Sequence, residues 1–97
     1  MTYEWDLVKA AANVKKHRVT FEEAASVFLD PSALTFWDPD HSEEEDREIT
    51  IGRSTRQRIL FVAHASHEER VRIISARRAT RRERRQYEEP DDETTRR

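Results

Sequence analysis

Apolar residues recur along this chain with two different periods, and the change of period divides it into helical and strand segments. After a short strand-like stretch at Tyr3, Glu4 and Trp5, the stripe Leu7, Ala10, Ala11 and Val14 follows one helix face, with Asp6 where an N-cap belongs. This predicts a first helix running to about His17. Thr20 and Glu23 then form a capping box at the head of a second stripe, Phe21, Ala24, Ala25 and Phe28, which Asp30-Pro31 stops. Together they predict a helical hairpin that turns at residues 17–19 and whose apolar faces need a sheet to cover them.

Four later segments predict that sheet. Residues 34–37 read as a strand, 48–51 and 70–73 alternate polar and apolar, and 59–63 form the continuous run of a central, doubly covered strand. Arg72 points away from Val71 and Ile73 in this alternation. The connections at 53–58 and 66–69 suit antiparallel hairpins, and Gly52 at a strand end predicts a bulge or a positive φ. Trp5, Phe21, Phe28 and Phe36 are expected in the core.

Thr80 and Glu83 form a second capping box, opening a helix that ends before Pro90; residues 90–97 read as a frayed, charged tail. In this last helix Tyr87 is the only large, partly apolar residue, so docking is expected to be weak without a ligand or partner. Arg81 and Arg82 occupy its first turn, where the helix dipole disfavours cations, and a local rule broken in this way points to function. The expected architecture is α+β: an N-terminal helical hairpin packed on an antiparallel sheet, then a C-terminal helix, in one domain over residues 1–89.

Composition narrows the chemistry. Ninety-seven residues, 39% charged and 35% hydrophobic with a mean hydropathy of −1.02, predict a small core. The absence of cysteine excludes disulfides, a thiolate nucleophile and sulfur-ligated zinc, and a single glycine excludes a phosphate-cradling glycine loop. Among the four histidines only His64 and His67 stand at a ligand-like spacing, and they fall in strand and turn, so neither a metal nor a cofactor is expected. The longest apolar run, 59–63, is far short of the roughly 20 residues of a membrane span. With no signal-peptide pattern either, a cytoplasmic location is expected.

Charge changes the picture most. The net charge of −2 hides strong segregation: residues 38–48 carry seven acidic side chains and one basic, whereas 72–85 carry seven arginines and only Glu83. Arginine supplies fifteen of the eighteen basic residues, and its planar fork suits bidentate contacts to phosphate. Metal-free RNA cleavage needs a base for the 2′-hydroxyl, an acid for the leaving 5′-oxygen and cations for the charge building on phosphorus. Arg72 and Arg77 are the candidates for charge stabilisation. Glu83, His41 and Tyr87 are candidates for proton transfer, His41 lying beside an acidic run that would keep it protonated. Arg47, Arg78, Arg81 and Arg84 are candidate RNA contacts. A non-catalytic nucleic-acid-binding module or an arginine-rich protein interface would show the same basic pole.

A family pattern runs through these residues: Tyr3-Glu4-Trp5-Asp6, Lys9, Asn13, Lys16-His17, Phe21 to Ala24, Val27-Phe28, Asp30-Pro31, His41-Ser42, Arg47, Ile51-Gly52, and above all Arg72 to Arg77 with Ala79-Thr80, Glu83-Arg84 and Tyr87. In this pattern the chain resembles the BrnT family of type II toxins. The resemblance implies a RelE-like fold and a ribonuclease activity that arrests translation. It also implies a BrnA antitoxin of ribbon-helix-helix type that neutralises the toxin and represses the shared operon, so that operator DNA is met only through the complex.

Overall fold

A computed structural model describes residues 1–40 and 46–89. The chain runs β1 (Thr2–Glu4), α1 (Leu7–His17), α2 (Phe21–Ser26), a 3₁₀ turn (Val27–Leu29), β2 (Leu34–Trp37), β3 (Arg47–Arg53), β4 (Ile59–His67), β5 (Arg70–Arg78) and α3 (Arg81–Glu88). The strands form one sheet in the order β1-β5-β4-β3-β2. His41 and the tail at 90–97 lie outside the described residues.

The fold is α+β, and its sheet is mixed where the sequence predicted an antiparallel one. Strands β2 to β5 are antiparallel to their neighbours, but β1 lies parallel to β5, with Tyr3 opposite Val71. No tight turn joins β1 to β5, so nothing local dictates their relative direction; the helices and three further strands intervene. The later strands also run longer than their apolar cores, β4 to His67 and β5 to Arg78.

Local chemistry sets the helix ends. The Asp6 carboxylate accepts the Val8 and Lys9 amides at 2.8 and 3.0 Å, and Arg18, at φ 62°, closes α1 by donating its N–H to the Val14 carbonyl. Thr20 caps α2 through the Glu23 amide. The predicted burial of α1 needs correction, because Leu7 is 79% exposed and Val14 39% while Asn13 is buried. The amide of Asn13 decides this rotation. It donates to the Val19 and Ala76 carbonyls and accepts the Ala76 N–H, so two bonds stitch α1 to β5 and a third holds the turn between α1 and α2, at 2.8 to 3.1 Å. A helix turned to bury Leu7 would leave those backbone groups unpaired.

The main core lies between the hairpin and the sheet, where Val19, Phe21, Ala24 and Val27 meet Leu60, Val62, Ile73 and Ala76. Gly52 shows neither the expected positive φ nor a bulge, pairing with Leu60 in regular register. A Cβ there would sit 2.9 Å from that of Ala33 and 3.3 Å from Val27, so the position answers to close packing under the 3₁₀ turn. A buried ion pair also escaped the sequence reading. Glu23 accepts from the Arg58 guanidinium and from the Ser54 hydroxyl, and Arg58 donates further to the Arg18 carbonyl, clamping the β3–β4 turn to α2.

Candidate nucleic-acid interface

Residues paired directly across strands share a face of the sheet, so the register assigns each side chain to the hairpin side or to the side of α3. On the α3 side one row runs Glu4, Arg72, Ala65 and Arg47, and another runs Arg77, Phe61, Ile51 and Leu34. Arg72 and Arg77 are five residues apart, a spacing that places them on opposite faces of a regular strand. A bulge at Ile74 restores them to the same face, since β4 steps from Ala63 to His64 while β5 steps from Ser75 to Ile73.

This face is only partly covered. Its apolar floor is Ile49, Ile51, Ile59 and Ala63, with half-buried Phe61, Ile74, Ala79 and Tyr87 packed on it. Phe36, expected in the core, is 37% exposed on the edge strand β2, because no described strand lies beyond it. Alanines at 63 and 65 keep the middle of the face low between Arg47 and Arg72. Those two arginines stand two strand spacings apart, about 10 Å.

At the other end α3 crosses the sheet. It starts where the Ala79 amide donates to the Ile59 carbonyl and reaches the end of the 3₁₀ turn, where the Tyr87 hydroxyl donates to Asp30 at 2.6 Å. Glu83 and Tyr87 lie one turn apart on its inward side, giving the helix two polar anchors in place of an apolar stripe. The predicted capping box is present: Thr80 accepts the Glu83 amide and the Glu83 carboxylate accepts the Thr80 amide. The same carboxylate grips Arg77 with both oxygens, at 2.9 and 3.0 Å, and the guanidinium lies 4.0 Å above the Phe61 ring.

These contacts set the proton affinities. Burial pushes the Glu83 carboxyl up, but Arg77 and the Thr80 amide outweigh it and hold Glu83 below its usual range. Asp30 is likewise held down, against burial, by the Tyr87 hydroxyl and the Arg53 and Ser32 amides. Tyr87 moves the other way: burial and then the Asp30 carboxylate raise its hydroxyl, so it stays protonated at neutral pH.

The sequence-predicted residues therefore separate into groups. Arg77, Glu83 and Tyr87 come together at α3. Arg47 and Arg72 share a row centred on Ala65, four residues along β4 from Phe61 and so about 13 Å away. Arg81 and Arg84 are exposed on α3. Arg78 pairs with Leu60 and belongs to the hairpin side, apart from the others.

A family model describing the ribonuclease toxin BrnT of type II toxin–antitoxin systems matches residues 5–83. No curated protein matches the chain. Among solved structures, the 1.1 Å crystal structure of the Brucella abortus ribonuclease toxin BrnT is similar, with a TM-score of 0.64 and 24% identity. The match covers 84% of this chain and 100% of that one. That likeness shows a shared fold; membership rests on the family model, which spans both the hairpin and the Arg77–Glu83 pair. The chain belongs to the BrnT family, the ribonuclease toxins of type II toxin–antitoxin systems.

Proposed function

We propose that this toxin is a metal-independent endoribonuclease of RelE-like type that binds single-stranded RNA on the α3 side of its sheet, in the cytoplasm, and arrests translation. One observation carries the reading: the β5 bulge gathers Arg72 and Arg77 with Arg47 on a face floored by Phe61, Ile74 and exposed Phe36. Cations flanking aromatic and apolar surface suit a phosphate backbone with unstacked bases.

In the proposed reaction the 2′-hydroxyl loses its proton to a base as its oxygen bonds to phosphorus. The P–O5′ bond then breaks, and the leaving oxygen takes a proton from an acid, giving a 2′,3′-cyclic phosphate and a 5′-hydroxyl. Arg72 and Arg77 stabilise the charge on the phosphoryl oxygens, Glu83 or His41 serves as base, and Tyr87, held protonated, serves as acid. Arg47, Arg81 and Arg84 contact the RNA backbone; Arg78, on the other face, serves only an RNA path that wraps the sheet end. A BrnA-type ribbon-helix-helix antitoxin covers this face and α3, and operator DNA is met only through that complex.

A non-catalytic nucleic-acid module draws support from one feature, the full engagement of Glu83 by Arg77 and Thr80. One experiment separates the readings. Purified protein incubated with RNA in EDTA should yield fragments ending in cyclic phosphate. Loss of cleavage in EDTA with recovery on adding a divalent ion would overturn metal independence, and tight binding without fragments would favour the module.

A further inference from the structure

Beyond α3, at the end of the sheet opposite Arg47, a shallow cavity of about 230 Å³, widely open to solvent, lies between the 3₁₀ turn and the β3–β4 turn. Its wall includes Leu29, Asp30, Arg53, Thr55 and Gln57. Three features mark it as built. The β3–β4 turn is fixed to the helices at several points: Ser54 and Arg58 bond to buried Glu23, the Thr55 amide donates to the Ser26 hydroxyl, and the Arg53 amide donates to Asp30. Gln57 is held at φ 67°, a conformation uncommon for residues other than glycine and asparagine, by the hydrogen bond its backbone N–H donates to the Ser54 carbonyl. Leu29, a large apolar side chain, stands 76% exposed beside the cavity.

The lining chemistry selects a class of ligand. The cavity is smaller than the 300 to 1,000 Å³ typical of drug-sized sites, so it has room for about one ring system. Leu29 and the Arg53 guanidinium offer surfaces for a flat ring, and the Gln57 amide can both donate and accept. The Asp30 carboxylate, held ionised by three donors, repels phosphate and favours a group that donates hydrogen bonds. An uncharged planar ring with an exocyclic NH₂ fits; uracil, whose one N–H is flanked by two carbonyl oxygens that a carboxylate repels, fits less well, and a free anion does not fit. The approach along α3 is basic, since this helix, tied to the cavity wall by the Tyr87–Asp30 bond, carries exposed Arg81, Arg82 and Arg85.

We propose that this cavity is a nucleobase subsite, receiving one unpaired base of the RNA that crosses α3 and selecting a base with an exocyclic amino group over uracil. Its role in choosing RNA targets rests on the ribonuclease reading; its ability to bind a base does not. The test therefore has two arms on the full chain. In the first, ¹⁵N-labelled protein is titrated with AMP, CMP, GMP and UMP. At least one of the amino-bearing nucleotides should shift the Leu29, Thr55 and Gln57 amides, with UMP about tenfold weaker or worse, the scale of a lost polar contact. Shifts confined to the arginine face, or equal for all four nucleotides, would overturn the subsite.

In the second arm a randomised RNA is cleaved and the fragment ends are sequenced. Uracil should be depleted at one position near the cut, and both Leu29→Ser and Gln57→Asn should bring that depletion to within about twofold of none. Serine replaces a side chain that is already exposed, and asparagine tolerates the left-handed backbone, so both variants should fold. Variants that keep the wild-type depletion would overturn the proposal. Absence of any cleavage by the parent chain would sink the ribonuclease reading instead, and the titration alone would then decide the cavity.

Discussion

His64 should make the toxin less stable as the pH falls from 6.5 towards 4, before its carboxylates begin to matter. The residue is 2% exposed on the hairpin side of β4, with its ring edge-on to Phe28 at 4.9 Å. Its Nε2 lies 2.8 Å from the Thr50 hydroxyl, which bonds in turn to Thr35, whereas its Nδ1 meets no partner among the described residues. Of the two neutral tautomers, the one protonated on Nε2 leaves only a lone pair unpaired and is the cheaper to bury. Protonation would add an unpaired N–H and a charge to this apolar surrounding, and burial accordingly lowers the pKa from 6.5 to about 4.

Above pH 6.5 the ring is neutral in both the folded and unfolded states. Between 6.5 and about 4 the unfolded chain binds a proton that the folded one rejects, so unfolding becomes easier as pH drops. At roughly 1.4 kcal/mol per unit the loss approaches 3 kcal/mol at the bottom of the window, a large share of a small domain's stability. Glu23, Asp30 and Glu83 have lowered carboxyl values, so their contributions are present above the unfolded range near 4 and fade only below it. The interval from pH 6.5 to 5 is therefore where His64 can be read. Urea denaturation of the parent and of His64→Gln, which keeps a polar group near Nε2, isolates the residue. The stability difference between the two should shrink or change sign as pH falls. A difference that stays constant from pH 7 to 5 would refute the assignment, as would an NMR titration of the His64 ring with a midpoint near 6.5.

Asn13→Ala removes three buried hydrogen bonds and should cost about 2 to 4 kcal/mol by denaturant titration, whereas Leu7→Ala, at an exposed site, should change stability by less than about 0.5 kcal/mol. Arg72→Ala and Arg77→Ala should each slow RNA cleavage by about two to three orders of magnitude, and Arg84→Ala by much less; equal, small losses at all three would indicate diffuse electrostatic binding. Glu83→Gln keeps an oxygen for the Thr80 amide but sets its NH₂ against Arg77. It should lower stability by about 1 kcal/mol and, if Glu83 is the base, slow cleavage by about 10² to 10⁴. An unchanged rate would leave Glu83 as cap and anchor for Arg77 alone.

Local signals in the sequence determined where elements begin and end. Asp6, Thr20 and Thr80 cap helices because a short oxygen-bearing side chain meets amides two or three residues ahead, and Asp30-Pro31 stops the hairpin for equally local reasons. The arginine concentration at 72–85 and the α+β order were visible for the same reason. Orientation was not. The face α1 buries depends on backbone groups of Ala76, 63 residues away, which hold Asn13 more firmly than the core rewards Leu7. The sharing of a face by Arg72 and Arg77 depends on a bulge in the pairing of β5 with β4. The clamp of Glu23 on Arg58 and the union of Tyr87 with Asp30 likewise join residues far apart in the chain. Periodicity reports which residues can share a surface within one element; which surfaces meet is decided by pairings between elements, and only the folded chain makes those.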